Sequence, residues 1–112
     1  MAATAFLIPI PAGKTETVKK AFEEMRGSRE GQCVANRHVM GITTEFVTLH
    51  HTPHGDVLVA YLEGDDPSKA TERMMASDSE YARWIAKDVL PLLGVAEGEP
   101  LPASETLADW RA

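Results

Sequence analysis

The sequence predicts an α+β domain, in which an antiparallel sheet carries helices on one side. Three features predict this class. Residues 4–10 form an apolar strand, residues 15–26 repeat apolar side chains at helical spacing, and the apolar runs 45–51 and 57–63 flank a short turn. Alternation at every second residue is typical of strands, whereas recurrence at every third or fourth residue is typical of helices.

The first strand reads T-A-F-L-I-P-I, and its apolar residues on both alternating faces indicate that both faces are covered. Pro9 indicates that this strand lies at a sheet edge or ends there, because proline cannot donate to a neighbouring strand. Thr15 is predicted to cap the first helix, and Gly27 is predicted to end it. Ser28 opens a second, weaker helical segment that stops at Gly41.

A further helical region follows the hairpin. Pro67, after two aspartates, is a good helix start, since proline lacks the N–H that a first helical residue leaves unbonded. Ser77 and Glu80 have the capping-box spacing, which predicts a restart there and a helix to about Leu90. From about residue 95 the chain is a loop-like tail, in which T-L-A-D-W at residues 106–110 is expected to add a short strand or an arm.

The element order is strand, helix, strand, strand, helix and a possible fourth strand, which is a ferredoxin-like plan. With 112 residues, the chain is expected to form a single domain, residues 1–112. Strands that are apolar on both faces leave one sheet face uncovered once helices occupy the other. A second subunit is the simplest cover, so a homodimer is predicted.

Composition excludes several classes of partner. The formal net charge of −6 comes from 17 acidic and 11 basic residues, which argues against nucleic acid and anionic membranes. RNA-binding domains share the strand order, but their basic and aromatic stacking residues are missing. The string G-K-T at residues 13–15 lacks the earlier glycine of a phosphate-binding loop. Cys33 is the only cysteine and no positively charged leader begins the chain, so a cytoplasmic protein without a membrane span is expected.

Three of the four histidines lie in T-L-H-H-T-P-H-G-D, residues 48–56. The proline and glycine predict a three-residue loop at 53–55, with His54 at its tip in water. In that register Thr52 pairs with Asp56. A shift of one residue would move every side chain of the following strand to the opposite face.

His50 and His51 are neighbours on one strand, so their side chains leave opposite faces of the sheet. They cannot share a metal ion within a subunit, and neither a metal nor another cofactor is predicted. The face expected to pack under the helices carries His51 with Val47, Leu49, Val59 and Tyr61. The face with the mixed apolar and polar pattern of a ligand pocket carries His50 with Phe46, Thr48, Leu58, Ala60 and Leu62.

His50 is the predicted acid or base, because imidazole transfers protons near neutral pH. His38 is a second candidate for proton transfer. The residues predicted to contact a substrate are Phe46, Thr48, Tyr61 and Trp84. Structural roles stay open: His50 can be bonded to backbone or buried at a dimer seam, His38 can be a surface residue of a helix, and Trp84 can be plain core.

Several segments resemble the dimeric α/β-barrel superfamily. They are A-F-L-I-P-I, P-A-G-K, E-F-V-T-L-H-H-T-P-H-G-D-V-L-V-A-Y-L-E, and D-D-P-S-K-A followed by S-D-S-E-Y-A-R-W, within residues 4–94. The hairpin and the D-P segment look most like a group of small bacterial proteins of unknown function. The resemblance implies two ferredoxin-like subunits paired through their sheets. Members include cofactor-free monooxygenases, aromatic polyketide cyclases, muconolactone isomerases, haem-degrading enzymes and stress-responsive proteins, which share no catalytic residue set.

The expected function is that of a small-molecule enzyme acting on a hydrophobic, aromatic or polyketide-like substrate without a metal. Cyclase, isomerase and cofactor-free monooxygenase chemistry all fit this expectation. One alternative is a non-catalytic ligand-binding or stress-responsive dimer that only holds a metabolite. Another is a haem-binding protein with His38 or His50 as axial ligand.

Overall fold

A computed structural model describes residues 2–96, 99–101 and 104–111 of the chain. Its strands are β1 (Ala2–Pro9), β2 (Ile42–Thr52) and β3 (Gly55–Gly64). Its α-helices are α1 (Thr15–Arg26), α2 (Glu30–Met40), α3 (Ala70–Met75) and α4 (Glu80–Trp84). A 3-10 turn at Pro67–Lys69 precedes α3, and α4 continues through a π-helical turn, Ile85–Val89, and a 3-10 turn, Leu90–Leu93.

The three strands form an antiparallel sheet in the order β1-β3-β2. Helices cover one of its faces, where Ile8, Leu58 and Leu62 are buried among apolar helix residues such as Val18 and Ile85. The predicted α+β class with an antiparallel sheet is therefore confirmed. As expected from Pro9, β1 is an edge strand that ends at this residue.

The first helix has the predicted limits, and α2 stops at Gly41 as predicted but begins at Glu30, two residues after the predicted Ser28. Thr15 does not cap α1. Lys14 precedes the helix, and the Thr15 hydroxyl instead donates to the Asp56 carboxylate across the domain (2.6 Å). Gly27 ends α1 as expected. Gly41 ends α2 in the left-handed conformation, with φ at +70°, which glycine adopts without steric cost.

The helical region after the hairpin begins at Pro67 as predicted, but the residue that caps α4 is Ser79, two residues beyond Ser77. The Ser79 hydroxyl accepts a hydrogen bond from the amide of Ala82, while the Ser77 hydroxyl accepts one from the amide of Ser79. The first serine therefore orders the approach to the helix, and the second one starts it.

The hairpin register differs by one residue from the prediction. Thr52 pairs with Gly55, not with Asp56, so the loop is reduced to Pro53 and His54. Gly55 adopts a φ of +120°, which a side chain would disfavour, and this lets the strand resume at once. His54 is exposed at the tip, as predicted.

This shift moves every β3 residue to the face opposite to the predicted one. Leu58, Ala60 and Leu62 pair with residues of β2 on the helix-covered side, opposite Leu49, Val47 and Glu45. The expectation that Val59 and Tyr61 pack under the helices is therefore wrong: both lie on the uncovered face of the sheet. On β2 itself the prediction was correct, since Val47 and Leu49 pack against the core.

Residues 104–111 form no strand, and they lie beside the sheet as an arm. The Ser104 hydroxyl is 3.1 Å from that of Thr4 on β1, and Arg111 forms an ion pair with Glu63 on β3 (3.2 Å). The segment T-L-A-D-W was expected to add a short strand or an arm, and in the structure it is part of an arm. Within the described residues, β1 has no further strand at its outer edge.

Replacing Gly64 with alanine should destabilise the domain, because a Cβ atom there would collide with the main-chain carbonyl oxygen of Gly41. The obstacle is backbone, so no side-chain rotation relieves it. We expect the free energy of unfolding to fall by about 1–3 kcal/mol, measured by urea denaturation.

Gly31→Ala is the matched control, since a Cβ at Gly31 meets only open space on α2. There we expect a gain of about 0.5 kcal/mol from the better helix propensity of alanine. Equal stability of the two variants would contradict the close approach of the chain at Gly41 and Gly64.

Candidate functional site

The sheet face that the helices leave open is almost free of charge; we call it the open face. Its apolar residues are Ala3, Ala5, Leu7, Phe46, Val57, Val59 and Tyr61. Phe46 is 64% exposed and Leu7 is 58% exposed, which is unusual for large apolar side chains in strands. Glu63 is the one charged residue on this face within the described strands, and it pairs with Arg111, whose guanidinium also pairs with Asp109. Such a patch is typical of a surface that binds another molecule.

His50 lies on the open face and is held by Thr48. The Nε2 atom of His50 is 2.7 Å from the Thr48 hydroxyl, two residues along the same strand, where side chains share a face. Whichever group donates the proton, this hydrogen bond fixes the orientation of the imidazole. Phe46 continues the row, and Tyr61 pairs with it from β3. Four of the six predicted site residues therefore lie together.

Trp84 and His38 lie elsewhere. Trp84 packs in the helical layer, where the Arg29 guanidinium stands 4.2 Å above its ring and Tyr81 contacts it at 5.7 Å between ring centres. His38 is an exposed residue near the end of α2, at the border of a hollow of about 310 Å³ that also includes Arg37. Neither residue shares the open face with His50.

His51 belongs to a second polar arrangement, which the sequence did not reveal. Its Nδ1 atom is 2.7 Å from Oδ1 of Asp56, and the other oxygen of Asp56 accepts the hydrogen bond from Thr15. The hydroxyl of Thr15, followed by the hydrogen bond to His51, lowers the pKa of Asp56. A carboxylate at Nδ1 orients an imidazole and leaves Nε2 to face outward.

The signal for this group was hidden by the register error. His51 pairs with Asp56 across the hairpin, whereas the predicted loop paired Asp56 with Thr52. The His51 side chain is 73% exposed. Because Asp56 also accepts the Ile10 amide at its main-chain oxygen (2.9 Å), the group ties the hairpin to the end of β1 and the start of α1.

A third polar group lies between the helices and the sheet. Burial, followed by a hydrogen bond with Cys33, raises the pKa of Tyr81 far above its usual range, so its phenol stays protonated. Desolvation of the Glu45 carboxyl raises its pKa against the attraction of Arg37. Buried Asn36 donates to the sulfur of Met74 (3.4 Å), and its Oδ1 atom has no partner among the described residues. Tyr81 and Asn36 act as hydrogen-bonding core residues, whereas Glu45 is an exposed residue of β2.

Comparisons of this chain with protein-family models, curated proteins and solved structures find no match. In the part of the chain that the structure describes, no three His, Cys, Asp or Glu side chains are placed to hold a metal ion. Within the same part, no helix has the length and hydropathy needed to cross a membrane.

Replacing Asp56 with asparagine should lower stability at pH 7 and have no effect in acid. The folded-state pKa of Asp56 lies below the ordinary value of 3.8, so its charged form is stabilised by folding. That contribution is complete above pH 3.8 and is lost as the pH falls through the folded-state pKa. We expect the urea midpoints of wild type and variant to differ by a constant amount from pH 7 to about pH 4, and to converge as the pH falls below 3.8.

Asp88→Asn is the control, since Asp88 is an exposed carboxylate in the helical layer. Its midpoint should follow the wild type at every pH. A difference between wild type and Asp56→Asn that stays constant from pH 7 down to about pH 2 would show that the charge of Asp56 contributes nothing to folding.

Proposed function

We propose that this chain is a ferredoxin-like subunit that forms a homodimer through the open face and binds a hydrophobic small molecule beside β2. His50 serves there as acid or base, and Thr48, Phe46 and Tyr61 shape the site. The observation that carries this proposal is the hydrogen bond between Thr48 and His50 on an exposed, nearly uncharged apolar surface.

The strand order supports the subunit type. The antiparallel β3 lies between β1 and β2, which is the split arrangement of a ferredoxin-like fold. In that fold a fourth strand would pair with β1, and the arm of residues 104–111 runs near this edge. Helices already cover the opposite face, so a second sheet packed about 10 Å away would bury Leu7 and Phe46.

The position of β2 supports the ligand site. As an edge strand, β2 holds His50 and Phe46 at the border of the open face, whereas Val57 and Val59 on β3 lie at its centre. Two such faces can pack at their centres and leave a groove along β2. A planar aromatic substrate fits beside Phe46 and Tyr61, and the fixed imidazole can move a proton at a carbonyl-activated carbon of that substrate.

Leu7→Glu should convert the dimer to a monomer, because two carboxylates would enter the apolar interface without partners. We expect the dimer dissociation constant to rise at least about 100-fold, measured by sedimentation equilibrium. Val39→Glu is the control, since Val39 is 46% exposed on α2, away from the open face. Equal loss of the dimer in both variants, or no loss in Leu7→Glu, would contradict the open-face interface.

The role of His50 can be tested with the anionic fluorescent probe 8-anilinonaphthalene-1-sulfonate. The imidazole of His50 can hydrogen-bond to the sulfonate beside the rings of Phe46 and Tyr61, so the dissociation constant of the probe at pH 7 should be several-fold higher in His50→Ala than in wild type. Fluorescence titration measures the affinity, and circular dichroism confirms that the chain remains folded.

His54→Ala is the matched control, because His54 lies exposed at the hairpin tip and not in the proposed groove. It should bind the probe with the same dissociation constant as the wild type. A dissociation constant in His50→Ala equal to that of the wild type would remove His50 from the site. Native mass spectrometry of the purified dimer then distinguishes an enzyme from a passive binder. A passive binder leaves a bound compound with unchanged mass, whereas an enzyme converts it to a product.

A further inference from the structure

Two large apolar side chains on the arm, residues 104–111, contact almost nothing in their own chain. Leu107 is 91% exposed and Trp110 is 92% exposed. Tryptophan is among the residues that most often anchor protein interfaces, and an exposed leucine beside it adds apolar area to bury. Their exposure shows that their own subunit does not bury them.

Polar contacts at both ends hold the arm against the sheet, one at the outer edge of β1 and one on the open face. Ser104 approaches Thr4 on β1 (3.1 Å), and Arg111 pairs with Glu63 on β3 (3.2 Å). Between these contacts, the arm and the open-face residues Ala5 and Tyr61 border a hollow of about 440 Å³. The arm therefore stands at the rim of the surface proposed to meet the second subunit.

The size of the open face indicates that it needs this addition. Strands of 8, 11 and 10 residues, about 4.8 Å apart and at about 3.4 Å per residue, give a footprint of about 470 Å². A stable interface buries about 800 Å² on each partner. One tryptophan can contribute about 150–250 Å², and Leu107 adds further apolar area.

We propose that the arm packs against a second copy of this chain, with Trp110 and Leu107 as anchors on the partner subunit. Arg111 pairs with both Glu63 and Asp109, so the one charged position of the open face has a cationic partner on the arm itself. This inference rests on the proposed dimer and adds the segment that completes its interface. Each subunit contributes one arm, as two-fold symmetry requires.

The test compares Trp110→Ala and Leu107→Ala with Glu105→Ala, an exposed arm position that the proposal does not use. Sedimentation equilibrium should show a dimer dissociation constant about tenfold or more above wild type for each anchor variant. Glu105→Ala should stay within about twofold. Circular dichroism should be the same for all three, because neither anchor supports the fold of its own subunit.

A fluorescence readout tests the contact directly. In a Trp84→Phe background, Trp110 is the only tryptophan, and its emission should shift to shorter wavelength as protein concentration rises through the dissociation constant. If the wild type is a dimer and both anchor variants have its dissociation constant, the proposed role of the arm is wrong, whereas the open-face dimer still stands. If the wild type stays monomeric, both the dimer and the role of the arm are wrong. If the Trp110 emission does not change with concentration in a protein that dimerises, the role of the arm is wrong.

Discussion

The pairing of Thr52 with Gly55 across a two-residue loop is the constraint on which the arrangement of the sheet depends. Side chains alternate along a strand, so this pair decides which residues of β3 face the helices and which face outward. With it, Leu58 and Leu62 enter the core, and Val57, Val59 and Tyr61 join the open face. A longer loop would bury Tyr61 and expose the leucines.

Periodicity and helix-stop residues were sufficient to predict most elements. The limits of α1, the stop at Gly41 and the proline start before α3 follow from local chemistry that is visible in the sequence. The hairpin register could not be predicted in this way, because T-P-H-G suits both a two-residue and a three-residue loop. Side-chain partners distant in sequence were also hidden: Thr15 looks like a helix cap, yet it bonds to Asp56 in the hairpin.

The two adjacent histidines illustrate how one strand serves two purposes. His51 turns toward the helical side, where Asp56 and Thr15 use it to join the hairpin to the first helix. His50 turns to the open face, where Thr48 orients it beside Phe46. Their opposite directions were predictable from strand alternation, whereas their partners required the correct register. Predicting that His38 and Trp84 lie away from this face would have required knowledge of how the helices pack, which no local pattern determines.

The central claim is that the open face is buried against a second copy of the chain. Small-angle X-ray scattering across a concentration series tests it most directly, since one chain has a Cα radius of gyration of 13.9 Å. Two packed chains should reach about 17 Å, with forward scattering twice that of a single chain. Values that stay near the single-chain radius and mass at every concentration would contradict the claim.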